Sequence, residues 1–252
     1  MKLLVFNKDR VLADNLYESV KSVSPEVNLI NIIDIERYAK LERQNKASFI
    51  SDHELEDLKK FHGCAYHLCC RINKFGKKTE AEVNIAIESG TNSVMLPFFN
   101  STQEISETLS IINGRVPLIP LFETAQSVLL FRDIIQTHQF EYVHFGLNDL
   151  SLQLSKTPML SVLDMSFWTE IRNVASTANQ AFGIGGCGYP GALGLDVDPQ
   201  KMIEKVFKNG GGGIILSRSF FKNARTRREV EWGVREICRM MIENEILQRS
   251  LI

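Results

Sequence analysis

The chain has 252 residues, 44% of them hydrophobic and 23% charged, with a formal net charge of −1. That length supports a large core without disulfide or metal staples, and the balanced charge supplies no field toward nucleic acid or an anionic membrane. No apolar stretch approaches the roughly 18 residues of a membrane span, and Leu3–Phe6 is too short for a signal-peptide core. Five cysteines in no repeating framework suit reduced thiols and a cytoplasmic setting.

Taken in chain order, short apolar runs of strand character fall at Lys2–Phe6, Asn28–Asp34, Ala65–Arg71, Ser93–Leu96, Val116–Phe122, Tyr142–Phe145, Ala181–Ile184 and Gly213–Leu216. Between them lie segments with apolar residues three or four apart, the helix period. Thr79–Glu88 carries Val83, Ala86 and Ile87 on one face, and Gln103–Ile112 carries Ile105, Leu109 and Ile112. Ser101-Thr102-Gln103-Glu104 predicts a capping box before the second of these. Ala125–Ile135 predicts one helix with a broad stripe of Val128, Leu129, Phe131, Ile134 and Ile135.

A last helix is expected from Arg227 to about Leu247, with an apolar stripe of Val230, Val234, Ile237, Met241 and Leu247, and Trp232 nearby. Arg225, Arg227, Arg228, Arg235 and Arg239 make a solvated basic face, without the aromatic interleaving of a nucleic-acid surface. Eight strands alternating with eight helices predict one α/β domain over residues 1–252, a (β/α)8 barrel, with a doubly wound open sheet as the competing pattern.

In a barrel, chemistry belongs at the C-terminal ends of the strands. That directs attention to Asn7, Asp34, Glu36, Arg71, Asn73, Pro97, Glu123, Asn148, Asp149, Gly185, Gly186, Ser217 and Arg218. Glu123 ends the fifth strand and Asp149 follows the sixth, so two carboxylates on neighbouring strands, about 4.8 Å apart, can share one cation. Oxygen ligands alone favour Mg²⁺ or Mn²⁺. Equally, Glu123 can cap the next helix and Asp149 a turn. Arg71 can grip a carboxylate or phosphate in a bidentate fork, or pair structurally with Glu80 or Glu82. Asp34 and Glu36 alternate onto one face, where they can orient groups around a metal or bind its water, act as acid or base, or serve the structure alone.

His62, Cys64, His67, Cys69 and Cys70 are close in sequence, but Cys69 and Cys70 are neighbours on a strand and point to opposite faces, which argues against zinc. Gly210–Gly213 precedes the last strand and reads as a helix stop and turn. The glycines from Gly183 to Gly188 follow the seventh strand, where they admit a substrate or permit a turn.

The residues Asp34-Ile35-Glu36, Arg71-Ile72-Asn73, Leu96-Pro97, Glu123-Thr124 and Gly146-Leu147-Asn148-Asp149-Leu150 occur in order, each at the end of its strand. In that order and spacing the chain resembles the citrate lyase β-subunit / HpcH/HpaI aldolase family. The resemblance implies a barrel enzyme of carbon–carbon lyase or aldolase type, acting on a 2-keto acid or an acyl-CoA-like substrate. It implies Glu123 and Asp149 as Mg²⁺ or Mn²⁺ ligands and Arg71 as the holder of a substrate carboxylate. Arg71, Glu36 and Asp34 are the expected catalytic residues, with Asn73, Pro97, Asn148, Gly185 and Gly186 beside the substrate.

Trimers or hexamers joined through the last helix are also implied. One position departs: the aldolase branch has His, and the citrate lyase branch Asp, where this chain has Arg37. That departure motivates a binding or regulatory module as an alternative, and Ser217-Arg218-Ser219 motivates a sugar-derivative isomerase or epimerase holding a phosphate.

Overall fold

The computed structural model describes residues 1–37, 51–155, 159–191, 198–224 and 226–250, with only the backbone of Arg218 and Ser219. Arg225 of the expected basic face and the side chain of Arg218 therefore lie outside the described residues.

The strands are β1 (Lys2–Phe6), β2 (Asn28–Asp34), β3 (His67–Arg71), β4 (Ser93–Leu96), β5 (Leu118–Phe122), β6 (Val143–Gly146), β7 (Phe182–Gly185) and β8 (Gly213–Ile215). They lie side by side in sequence order, with β8 beside β1, and every pairing is parallel. A parallel bridge between Cys187 and Leu216 joins the ends of β7 and β8. The result is a nearly closed (β/α)8 barrel, and the open-sheet pattern is excluded.

Period-two alternation divides the core. Leu4, Ile30, Ile32, Cys69, Met95, Ile119, Leu121, Tyr142 and Ile215 fill the barrel interior. The alternate positions, such as Leu3, Val5, Ile33, Cys70, Val94 and Phe145, join the layer under the helices. Cys69 and Cys70 thus face opposite sides.

The helices are α1 (Arg10–Val23), α2 (Thr79–Glu88), α3 (Thr102–Ile112), α4 (Ala125–Leu129), α5 (Phe131–Thr137), α6 (Leu147–Gln153), α7 (Phe167–Thr177), α8 (Pro199–Lys208), α9 (Arg218–Asn223) and α10 (Arg227–Arg249). Short 3₁₀ turns occupy Leu55–Phe61 and Met159–Asp164. Asp9 starts α1 by accepting the Leu12 N–H, which satisfies one of the orphan donors of the first turn. At α3, Ser101 accepts the Glu104 N–H as expected, but the Glu104 carboxylate takes the N–H of Asn100 instead of closing the box.

The helix expected over Ala125–Ile135 is broken at Leu130. Its N–H is shared between the carbonyls of Gln126 and Ser127, and α5 starts afresh at Phe131. The break seats Phe131 against Phe122 and Phe145, with ring centroids 5.2 and 5.3 Å away, and leaves Leu129 78% exposed. After α8, Gly210 adopts φ +86°, the left-handed turn that glycine makes without strain.

The stripe of α10 is largely covered by the chain itself. Val230, Val234, Ile237 and Met241 are buried where α10 packs on α1 and α8, so they are not left for a neighbouring subunit. Trp232, Ile246 and Leu247 remain exposed. No helix among the described residues is long and apolar enough to cross a membrane.

Candidate active site

Register brings the first two site residues together. Asp34 and Arg71 are paired positions on β2 and β3, both on the interior-facing parity. The Arg71 guanidinium donates from Nε to Asp34 Oδ1 at 2.7 Å and from Nη2 to Oδ2 at 2.8 Å. Asp34 is 0% exposed and Arg71 7%. The Phe6 ring lies against the guanidinium, 4.7 Å from its centroid, a cation–π arrangement.

Burial alone would lower the Arg71 pKa, but the Asp34 carboxylate, with Glu123 and Glu36 beyond it, drives it upward. Arg71 is therefore a permanent cation. Neither Glu80 nor Glu82 is its partner. Glu82 instead holds Asn73, accepting its backbone N–H at 3.0 Å and its side-chain amide at 2.8 Å.

Asp34 is held from several sides. Its Oδ2 accepts the Ser51 hydroxyl at 2.5 Å, and its Oδ1 the Glu36 N–H at 3.3 Å. Its own N–H donates to His53 Nδ1 at 3.0 Å. Arg37, at the departing position, turns to this same segment: Nη1 donates to the Ser51 carbonyl at 2.7 Å, and Nη2 to the His53 carbonyl and to Glu54 Oε1. Its backbone N–H donates to Asn73 Oδ1 at 2.7 Å. Arg37 and Asn73 together tie the segment 51–54 and α2 to the mouth.

Glu123 follows β5 and is 2% exposed. It does not cap α4, because Thr124 does so by accepting the Ser127 N–H at 3.0 Å in a reciprocal capping box. Gly146, at the end of β6, lies against it. A Cβ on Gly146 would stand 2.8 Å from Glu123 Cβ and 3.0 Å from its Oε2, so a side chain there would have to displace Glu123. Asp149 is half-buried in the first turn of α6, three residues past Gly146, and Asn148 is exposed.

Pro97 is buried just past β4, followed by Phe98 at φ 50°, a left-handed conformation uncommon for a bulky residue. Gly186 is half-buried, with room for a Cβ at 3.5 Å from Ser217 Cβ. Gly185 serves the interior instead: a Cβ there would meet His144 Nε2 at 2.6 Å and Ile215 Cβ at 2.8 Å. That space seats His144, whose Nδ1 is 2.8 Å from the Tyr142 hydroxyl. Burial pushes the His144 pKa down to about 3, so the ring is neutral.

Asp34, Glu36 and Glu123 are all buried around one buried guanidinium. All three carboxylates act on that guanidinium, Asp34 most strongly. Among the described residues no three His, Cys, Asp or Glu side chains are placed to hold a metal. A site here would use two carboxylates, Glu123 and Asp149, with water and substrate completing the shell, as Mg²⁺ accepts.

Comparison with known proteins bears on the fold and the family. Over most of their lengths the barrel superposes on RipC from Yersinia pestis (TM-score 0.58, 12% identity, 94% of each chain covered). It also superposes on an HpcH/HpaI aldolase from Desulfitobacterium hafniense DCB-2 (0.57, 14%, 85% of each). A variant of the citrate synthase SbnG gives 0.56 at 12% identity, with 86% of each chain covered. At such identities these matches speak for the fold. No curated protein matches the sequence. The sequence model described as HpcH/HpaI aldolase/citrate lyase matches residues 30–188, from β2 to just past β7. The chain belongs to the HpcH/HpaI aldolase/citrate lyase family.

Proposed function

We propose that the chain is a divalent-metal-dependent carbon–carbon lyase of aldolase type, acting on a 2-keto acid or an acyl-CoA-like substrate. The observation that carries the reading is the buried guanidinium of Arg71, gripped by Asp34 at the strand ends and acted on by Glu123 and Glu36. Family membership supports a lyase of the aldolase/citrate lyase type.

Glu123 and Asp149 would hold Mg²⁺ or Mn²⁺, which when bound supplies Lewis-acid polarisation of a substrate keto oxygen. Arg71 uses its Nε–Nη2 edge on Asp34, and Nη1 has no hydrogen bond to a described residue. The Nη1 side is therefore the edge assigned to the substrate carboxylate. Asp34 fixes the guanidinium plane, and Phe6 supports one face of it. Proton transfer is assigned to Glu36, the second buried carboxylate of the Asp34-Ile35-Glu36 signature. Asn73, Pro97, Asn148, Gly185 and Gly186 are retained as residues around the substrate, with Gly185 acting through the packing of His144. A homo-oligomer, trimer or hexamer, would cover Trp232, Ile246 and Leu247.

The test is exchange of the pyruvate methyl protons for deuterium, followed by NMR with Mg²⁺ or Mn²⁺ present. Exchange that depends on metal and is abolished in Glu123→Gln supports the assignment. Exchange unchanged in Glu123→Gln refutes it, and no exchange by the native protein favours a binding module.

A further inference from the structure

One titratable side chain at the mouth has no role in this scheme. The chain has five histidines. His67 pairs with Ser93 near the start of β4, His144 is sealed inside the barrel, His138 bonds Ser106 on α3, and the fourth, His62, lies beside Gly90. His53 alone is in contact with the Asp34–Arg71 pair, through the Asp34 backbone.

Its Nδ1 accepts the Asp34 N–H. A backbone N–H can only donate, so in the neutral ring the proton must sit on Nε2. Protonating Nδ1 would break this bond. Nε2 has no hydrogen bond to a described residue. The ring is also held in place by its own backbone, since Arg37 binds the carbonyls of Ser51 and His53 while the Ser51 hydroxyl binds Asp34. The imidazole is thus fixed relative to the guanidinium that the keto-acid reading assigns to the substrate.

Resting on that reading, we propose that His53 presents its Nε2–H at the barrel mouth as a neutral hydrogen-bond donor to a carboxylate or keto oxygen of the substrate. A neutral donor recognises a carboxylate or keto oxygen without adding a second cation to compete with Arg71 for Asp34. Burial lowers the His53 pKa, and the nearby Asp34, Asp57 and Asp52, which pull the other way, do not restore it. Lys8 adds to the lowering. The lowering favours the neutral ring at pH 7.

Two variants separate the two ring nitrogens. His53→Asn places an acceptor near Nδ1 and removes the distal donor, whereas His53→Gln places an amide N–H near Nε2. Pyruvate affinity measured by calorimetry with Mg²⁺ should fall about tenfold or more in His53→Asn, with an unchanged melting temperature, and should be largely retained in His53→Gln. In ¹⁵N NMR of histidine-labelled native protein, His53 should show an unprotonated Nδ1 and an Nε2–H whose resonance moves on adding pyruvate. Native affinity in His53→Asn, or a proton on Nδ1 at pH 7, overturns the proposal even if pyruvate binds. If native protein binds no pyruvate, the keto-acid reading falls and this inference with it, and the calorimetry shows which of the two has failed.

Discussion

Arg71 donates two parallel hydrogen bonds to Asp34, from Nε and Nη2, in a pair with both partners buried. The pair costs desolvation on both sides, so its value is geometric: it fixes the plane of a guanidinium whose remaining edge is assigned to substrate. Asp34→Asn should lower stability by about 1–3 kcal/mol, because it exchanges a bidentate charge-assisted pair for one neutral acceptor. Urea unfolding checks this, and a loss below about 1 kcal/mol would show that the pair is solvated.

Arg71→Lys keeps the charge and loses the fork. A lysine cannot hold Asp34 and a carboxylate in fixed planes at once. Pyruvate affinity should fall at least about tenfold while the fold survives. Calorimetry together with circular dichroism reads both quantities.

Gly146→Ala carries a single methyl, yet that methyl would meet Glu123 Cβ at 2.8 Å. The contact is close to the backbone of β5, where little can yield. We expect a weaker affinity for Mn²⁺ with a stability loss of about 1–3 kcal/mol. Unchanged Mn²⁺ binding would remove Glu123 from the metal.

His144 governs part of the pH dependence of stability. Burial holds its pKa near 3 in the folded chain, against 6.5 as the ordinary value. Between those values the unfolded chain binds a proton that the folded chain does not, so stability is complete above about pH 6.5 and falls as the pH drops. From pH 7 to 5 the loss from this group is on the order of 2 kcal/mol. His67, with its pKa lowered by burial to about 4, acts in the same direction. Urea midpoints of His144→Gln should show a shallower slope over that range, and an identical slope would mean that the ring is solvated.

The strands are legible to within two residues, because each is a short apolar run between helix-period segments. The break at Leu130 was not, since no proline or glycine marks it and tertiary packing of Phe131 decides it. Asp34, Arg71 and Glu123 can be placed at one end of the barrel because each stands at the C-terminal end of its strand. That Asp34 rather than Glu80 or Glu82 partners Arg71 depends on the β2–β3 register, which no local pattern encodes. His53 lies in an aperiodic connection. Its only signal was a histidine shortly before the 3₁₀ turn Leu55–Phe61, and the turn itself carried no chemistry to draw attention there. The stripe of α10 is legible as apolar, but from Val230 to Met241 its cover is the chain's own α1 and α8, while Leu247 stays exposed.

The central claim is that Glu123 and Asp149 hold a divalent metal beside a keto acid fixed by Arg71. Calorimetric titration of metal-stripped protein with Mg²⁺ and Mn²⁺, with and without pyruvate, tests it most directly. The account predicts metal binding that strengthens with pyruvate and is lost in Asp149→Ala. Native protein that binds no metal, or an Asp149→Ala variant that binds it as tightly as native, would contradict it.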